Sequence, residues 1–256
     1  MRDFAGDANF VDPAALIGDK TRARILLSLL DKRALPMSML ASEAGVALST
    51  MSSHLGQLLD GGMLTVRREG RHRYYSLASP EVARAIESLA QLASPFKPNS
   101  LRSGTRARAL RVARTCYDHL AGHLGVLIMR GLIAKGAVVG GDGTHRPERP
   151  GADRLAACGR DIAYEVTAQG WRLLGSIGVF RPRTDRPLVR YCVDWTEQRH
   201  HLSGAVGAAL LERFISQEWV QRAPESRALK ILPAGEADLH SWLDIDPQKL
   251  HADLAA

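Results

Sequence analysis

Long apolar runs are missing from this chain of 256 residues. None approaches the roughly 20 consecutive apolar residues that a bilayer-crossing helix needs. Met1-Arg2-Asp3-Phe4 also lacks the core of a secretory signal. No membrane partner is expected, and a cytoplasmic location is. Cysteine is scarce: Cys116, Cys158 and Cys192 are odd in number and widely spaced. That excludes a paired disulfide framework and suits a reducing compartment. Aromatic residues make up only 5% of the chain, so the placement of each ring is informative. Gly140 to Gly151 is rich in Gly, Pro and charge and reads as a surface loop. It has no GK[ST] or GxGxxG spacing opening a helix, which rules out a phosphate cradle. No oxyanion-hole loop or glycine-framed nucleophile elbow is visible, so an enzyme is not expected.

What is present is ordinary in bulk and uneven in charge. Hydrophobic content of 45% and charged content of 24% fit a globular protein, long enough for two domains with a core in each. A net charge of +7 and a pI near 9.7 fit an anionic partner. Residues 91–150 hold ten Lys and Arg against three Asp and Glu. Residues 1–90 hold eleven against ten, and residues 151–256 thirteen against fourteen. The excess sits in Arg102, Arg106, Arg108, Arg111 and Arg114, either a second contact to a nucleic-acid backbone or a solvated helix face.

Along the first third, Asp12-Pro13 reads as a cap followed by a proline at the first helical position. A short helix to Ile17 follows, and Asp19 can cap the next, whose Ile25, Leu26, Leu29 and Leu30 offer a core face. Ser38 to Ala44 reads as a short helix stopped by Gly45, and Ser49 to Leu59 as a second helix. Ser38 and Ser49 are each placed to cap a helix start. Met51, Leu55, Leu58 and Leu59 form one apolar stripe. The other side carries Thr50, Ser52, Ser53, His54 and Gln57, hydrogen-bonding and never acidic. Helix, glycine turn and polar-faced helix make a helix-turn-helix layout. Met63 to Arg68, a turn at Glu69 to His72, and Arg73 to Leu77 read as a hairpin. Its tip bears Arg67, Arg68, Arg71 and Arg73, suited to phosphates or the minor groove.

These residues resemble the ArsR-type (arsenic-repressor-like) family of bacterial winged-helix repressors. The resemblance lies in Gly18 to Leu26, Ser49 to Leu55 and Gly70 to Tyr75, in the right order within residues 12–93. It implies a homodimer that binds a double-stranded operator and releases it when an effector binds. In that family the helix from Ser79-Pro80, with Val82, Ile86, Leu89 and Ala93 on one side, helps pair two subunits. A pair sets two recognition helices about 34 Å apart, one DNA turn, and so an inverted-repeat operator. The best-known metal sites of the family do not carry over: the first helix of the helix-turn-helix has no cysteine, and Pro80 to Leu92 has no histidine.

Ser94 to Ser100, with two prolines, reads as a linker between a domain over 1–93 and a second over 101–256. The second part carries an internal repeat, about 101–180 and 181–256. Arg114-Thr115-Cys116-Tyr117-Asp118-His119-Leu120-Ala121-Gly122 matches Arg190-Tyr191-Cys192-Val193-Asp194, then an insertion from Trp195 to His200, then His201-Leu202-Ser203-Gly204. Apolar helices, Val126 to Ala134 and Val206 to Ile215, follow each copy. Strand-like pieces at Tyr164 and Leu229 then lead into glycine-containing helix starts. The fold expected is mainly α with small β-hairpins (α+β): a winged helix-turn-helix, then two degenerate winged-helix-like repeats.

Each repeat brings Cys, Asp and His together. Cys116, His119 and His123 at i, i+3 and i+7 are expected on one helix face. Cys192, Asp194, His200 and His201 are expected to complete a site across the pseudo-two-fold. The set suits zinc, copper(I), nickel, haem iron or a thiol-reactive species. The plainer reading is core: small buried cysteines and hydrogen-bonded histidines. A third is an organic effector among Tyr117, Tyr164, Trp171, Trp195 and Trp219. Cys158 reads as a buried small residue, and His72 as a solvated or phosphate-facing one. The function expected is an effector-responsive, sequence-specific DNA-binding repressor. The alternatives are a Cys/His enzyme fused to the winged helix, with Cys116 and His119 as nucleophile and base, and a constitutive architectural binder with a structural C-terminal half.

Overall fold

The computed structural model describes residues 10–31, 33–91, 101–146, 162–224 and 226–251. The chain divides into two compact units, residues 1–86 and 87–256. The expected linker, Ser94 to Ser100, Ala93 and Cys158 lie outside the described residues.

In the first unit, α1 (Val11–Gly18) and α2 (Lys20–Ser28) meet at Asp19. Thr21 N and Arg22 N both donate to Asp19 Oδ1 at 2.9 Å, so this residue caps α2 as expected. The opening of α1 differs from expectation. The helix already begins at Val11, which puts Asp12 in its first turn, where a carboxylate favours the positive end of the helix dipole. Next come β1 (Leu35–Pro36), α3 (Met37–Ala44) and α4 (Leu48–Asp60). Neither Ser38 nor Ser49 caps a helix. Extended backbone at Pro36 and Ala47 starts each helix one residue earlier, with no side-chain cap bond. Gly45 does end α3, at φ 71°, a left-handed position that glycine adopts without a Cβ clash.

The hairpin of β2 (Leu64–Glu69) and β3 (His72–Leu77) runs one residue further on each strand than the alternation predicts, leaving Gly70-Arg71 as the turn. The first strand, β1, pairs with β3 through Leu35↔Tyr75 and makes the sheet three-stranded in the order β1-β3-β2. A two-residue strand has too little periodicity to read in sequence. Ile25, Leu26, Leu29, Leu30, Leu40, Met51, Leu55 and Leu58 are buried as one core. Each such side chain contributes on the order of 1.5–3 kcal/mol of burial. Then α5 (Pro80–Gln91) begins with Val82 N donating to Ser79 Oγ at 3.4 Å. Among its described side chains Ala83 and Ile86 are buried, while Val82 is half-buried and Leu89 exposed.

The second unit opens with α6 (Leu101–Val112) and then repeats one pattern twice. The first copy is β4 (Arg114–Cys116), β5 (His119–Ala121), α7 (Gly122–Ala134), β6 (Val138–Val139), β7 (Glu165–Val166) and α8 (Ala168–Ser176). The second is β8 (Arg190–Val193), β9 (His200–Ser203), α9 (Gly204–Ser216), β10 (Val220–Arg222), β11 (Leu229–Ile231) and α10 (Pro233–Leu243), with a short α11 (Pro247–His251) after it. Strand pairing is antiparallel throughout: β4 with β5, β6 with β7, β8 with β9, β10 with β11. One expectation is corrected. Residues 114–121 and 190–203 form hairpins, not helices, so Cys116 and His119 face each other across two strands. The insertion from Trp195 lengthens the second turn and leaves the register intact.

The copies are related in their close contacts too. Gly122 (φ 75°) and Gly204 (φ 81°) turn each hairpin into its helix. Gly125 and Gly207 let each helix lie on its own hairpin: a Cβ there would sit 2.6 Å from Leu120 O and Leu202 O respectively. Leu124, Ile128, Leu132, Tyr191, Val206, Leu210, Phe214 and Leu239 belong to a single core shared by both copies.

Candidate nucleic-acid interface and a buried Cys/His cluster

On α4, Ser49, Thr50, Ser52, Ser53 and Gln57 are exposed while Met51, Leu55 and Leu58 face the core. The polar face predicted from spacing is thus outward. Two of its members are engaged within the unit. Arg22 Nη1 donates to Gln57 Oε1, and half-buried His54 has Nδ1 3.7 Å from Asp19 Oδ1. Thr50, Ser52 and Ser53 remain as the open reading surface, with Ser49 in the first turn. Arg67, Arg68, Arg71 and Arg73 are all exposed on the hairpin, and Glu69 offsets only Arg67, at 2.7 Å. A polar, uncharged helix face beside a basic ribbon has the chemistry of base edges and phosphates.

The charge after this unit is less uniform than composition suggests. Arg106 and Arg108 are exposed. Arg114 is not: it is 1% exposed and donates from Nη2 to Asp194 Oδ2 at 2.8 Å, with its guanidinium over the Trp195 ring. It is removed from the candidate backbone contacts, because its guanidinium is buried and held by an internal carboxylate.

Of the seven predicted effector residues, four converge. Cys116, His119, Cys192 and His201 each bring a donor atom within 4.8 Å of the others. The hairpin registers explain why: Cys116 pairs with His119, and Cys192 with His201. The two imidazole centroids are 5.1 Å apart. Three predicted members are elsewhere. His123, on α7, has Nδ1 3.2 Å from Glu197 Oε2 and Nε2 2.9 Å from Lys249 O, so both nitrogens are used. His200 has Nδ1 2.8 Å from the Tyr164 hydroxyl and its ring 4.3 Å from that of Tyr191. Asp194 accepts from Arg114, from Gly122 N at 2.7 Å and from Thr196, which folds the long hairpin turn.

The carboxylates nevertheless stand behind the cluster. Asp118 Oδ1 lies 3.2 Å from His119 Nδ1, and Asp194 Oδ2 lies 3.5 Å from His201 Nδ1. Each carboxylate has its own arginine, Arg186 for Asp118 and Arg114 for Asp194. Asp118 was missed as a partner, although the repeat aligns it with Asp194 and so carried the signal. Nε2 of both histidines is buried and has no hydrogen-bond partner. A buried polar atom left in that state costs about 1–3 kcal/mol.

Electrostatics separate the two halves. Burial opposes charge on His119, but the Cys116 sulfur and Asp118 outweigh it and raise this histidine to about 9. Burial lowers His201 to about 3 against the pull of Asp194, which favours its neutral form. Burial also opposes charge on Asp194, yet Arg114 holds its carboxyl well below the usual range. The Cys192 sulfur, and then burial, push the Cys116 thiol up. Three of the rings named for an organic effector have separate neighbours. Tyr164 packs with Tyr191 and His200, Trp219 with Phe214 and Trp242, and Trp195 with Arg114.

A helix-turn-helix unit with an exposed polar recognition helix and a basic wing defines a DNA-binding transcription regulator. The model of a helix-turn-helix domain matches residues 17–67. The chain is 35% identical over 240 residues, 93% of its length and 98% of the relative's, to YdfF of Bacillus subtilis (strain 168), described as an uncharacterized HTH-type transcriptional regulator. It is 40% identical over 76 residues, 30% of its length and 64% of the relative's, to the HTH-type transcriptional regulator CmtR of Mycobacterium tuberculosis (strain ATCC 25618 / H37Rv). Solved structures similar to it include reduced HlyU from Vibrio cholerae (30% identity, 33% of this chain and 88% of that one, TM-score 0.31). The cadmium metal-sensor CmtR of Mycobacterium tuberculosis is another (31% identity, 35% and 93%, TM-score 0.30). The chain belongs to the HTH-type transcriptional regulators, with an ArsR-type winged helix in its N-terminal third. Among the described residues no helix is long and apolar enough to cross a membrane.

Proposed function

We propose that the chain is a homodimeric repressor that leaves an inverted-repeat operator when an effector binds its second unit. The observation carrying this reading is the outward pairing of Thr50, Ser52 and Ser53 with four exposed wing arginines on one unit, while the donor cluster lies inside the other. Dimerisation through α5 is supported by Leu89, 47% exposed on the same helix as buried Ile86 and half-buried Val82. Release follows from linkage: an effector that binds better to a mis-spaced dimer must lower DNA affinity by the same factor. The second unit is read as sensing rather than catalytic, because donor atoms of two cysteines and two histidines converge there while the sequence offers no oxyanion-hole loop or nucleophile elbow.

Selection of DNA fragments by the full chain, followed by fluorescence anisotropy on the fragments recovered, tests the reading. Two half-sites one helical turn apart, and loss of binding on adding a metal ion, thiol reagent or small molecule, are the expected results. Binding without sequence preference refutes the repressor. Sequence-specific binding that no ligand alters leaves a constitutive architectural protein instead.

A further inference from the structure

We propose that Cys116, His119, Cys192 and His201 form a closed, four-coordinate site for one zinc-class divalent ion, which ties the hairpin of one repeat to that of the other. Donors bound at about 2.0–2.3 Å in a tetrahedron stand roughly 3.3–3.8 Å apart. Four donors already within 4.8 Å close to that spacing through small side-chain rotations. Two thiols and two imidazoles are a borderline-soft set, which selects zinc and its cobalt(II) substitute over magnesium or calcium.

Three further observations point to an ion. Nε2 of His119 and Nε2 of His201, on residues 5% and 2% exposed, have no partner. A carboxylate also stands beside Nδ1 of each ring, Asp118 hydrogen-bonded to His119 at 3.2 Å and Asp194 3.5 Å from His201, the placement from which a carboxylate orients a metal-bound histidine. Each repeat also supplies one cysteine and one histidine from facing strand positions, so the ion lies on the pseudo-two-fold between β4–β5 and β8–β9. Four protein donors leave no open position, which suits holding structure and not chemistry. A disulfide between Cys116 and Cys192 would use the sulfurs but leave Nε2 of both imidazoles unpartnered. Coordination satisfies all four. This inference does not depend on the repressor reading, since it is measured without DNA.

The test uses the untagged full chain purified in reductant without chelator. Metal analysis is expected to find near-stoichiometric zinc. X-ray absorption on that protein should show two sulfur and two nitrogen neighbours. After chelation, Co2+ titration should give intense tetrahedral ligand-field bands with sulfur-to-cobalt charge transfer. C116S/C192S should lose these bands, whereas H123Q, outside the cluster, should keep them. Chelation should also lower the thermal midpoint, and zinc should restore it. The wild-type spectra need no variant, so a misfolded double mutant does not blunt the test. A metal shell without sulfur, or no uptake of Co2+ by the reduced chain, overturns the site. An unchanged midpoint on metal removal overturns the tie between the repeats.

Discussion

A single carboxylate, Asp194, shows how one side chain organises the second unit. It is fully buried, pairs with Arg114 and accepts from Gly122 N and Thr196. Replacing it by Asn leaves an uncompensated buried guanidinium, and urea unfolding should show a loss of about 3–5 kcal/mol. Asp19 is the contrasting surface case. Asp19→Ala removes the cap on α2 and should cost about 1 kcal/mol. Backbone hydrogen bonding from Arg22 holds this carboxyl below its ordinary 3.8. A carboxyl lowered on folding contributes stability above its unfolded value and loses it as pH falls through the folded one. The wild type and the Ala variant should therefore converge in stability below about pH 4, where the capping charge is lost. A constant difference between them from pH 7 to 2 would contradict the cap. Asp19 was legible from its place before an apolar run. Arg114 was not, because its partner lies 80 positions away and composition cannot separate a buried arginine from a solvated one.

At the scale of elements, the wing and the paired helices make separate predictions. Arg71→Ala with Arg73→Ala should weaken operator binding and flatten the log–log salt dependence by about two. Anisotropy titrations at several salt concentrations read this directly. Ser53→Ala should instead relax sequence preference with the salt slope nearly unchanged, since base contacts specify and phosphate contacts position. In the second unit, Gly207→Ala places a methyl 2.6 Å from Leu202 O and 3.2 Å from His119 Cβ. Backbone must move to accept it, so denaturation should report a loss of about 1–3 kcal/mol. The wing was legible from its two strand-like runs and the glycine turn between them, since burial does not alternate along its strands. Periodicity revealed α4 because its buried stripe follows 3.6-residue spacing. It misplaced residues 114–121, because a hairpin with three-residue strands is too short to alternate visibly. Cys, Asp and His at i, i+2 and i+3 then pass for one turn of helix.

For the whole molecule, sedimentation at micromolar concentration should give a dimer, and Leu89→Lys on α5 should shift it toward monomer and lower operator affinity. A monomeric wild type that still binds an inverted repeat would contradict pairing through α5. The amino-acid sequence by itself determined the winged helix, its outward polar face, the basic tip and the existence of two repeats. These rest on local period, turn chemistry and self-similarity, all of which act over a few residues. Only the tertiary structure decided which cysteines and histidines meet. Cross-strand pairing sets Cys116 on His119 and Cys192 on His201, and core packing brings the two hairpins together across more than 70 residues of chain. The same packing withdrew His123, His200 and Arg114 into other bonds, because a buried polar atom takes the nearest partner the fold provides.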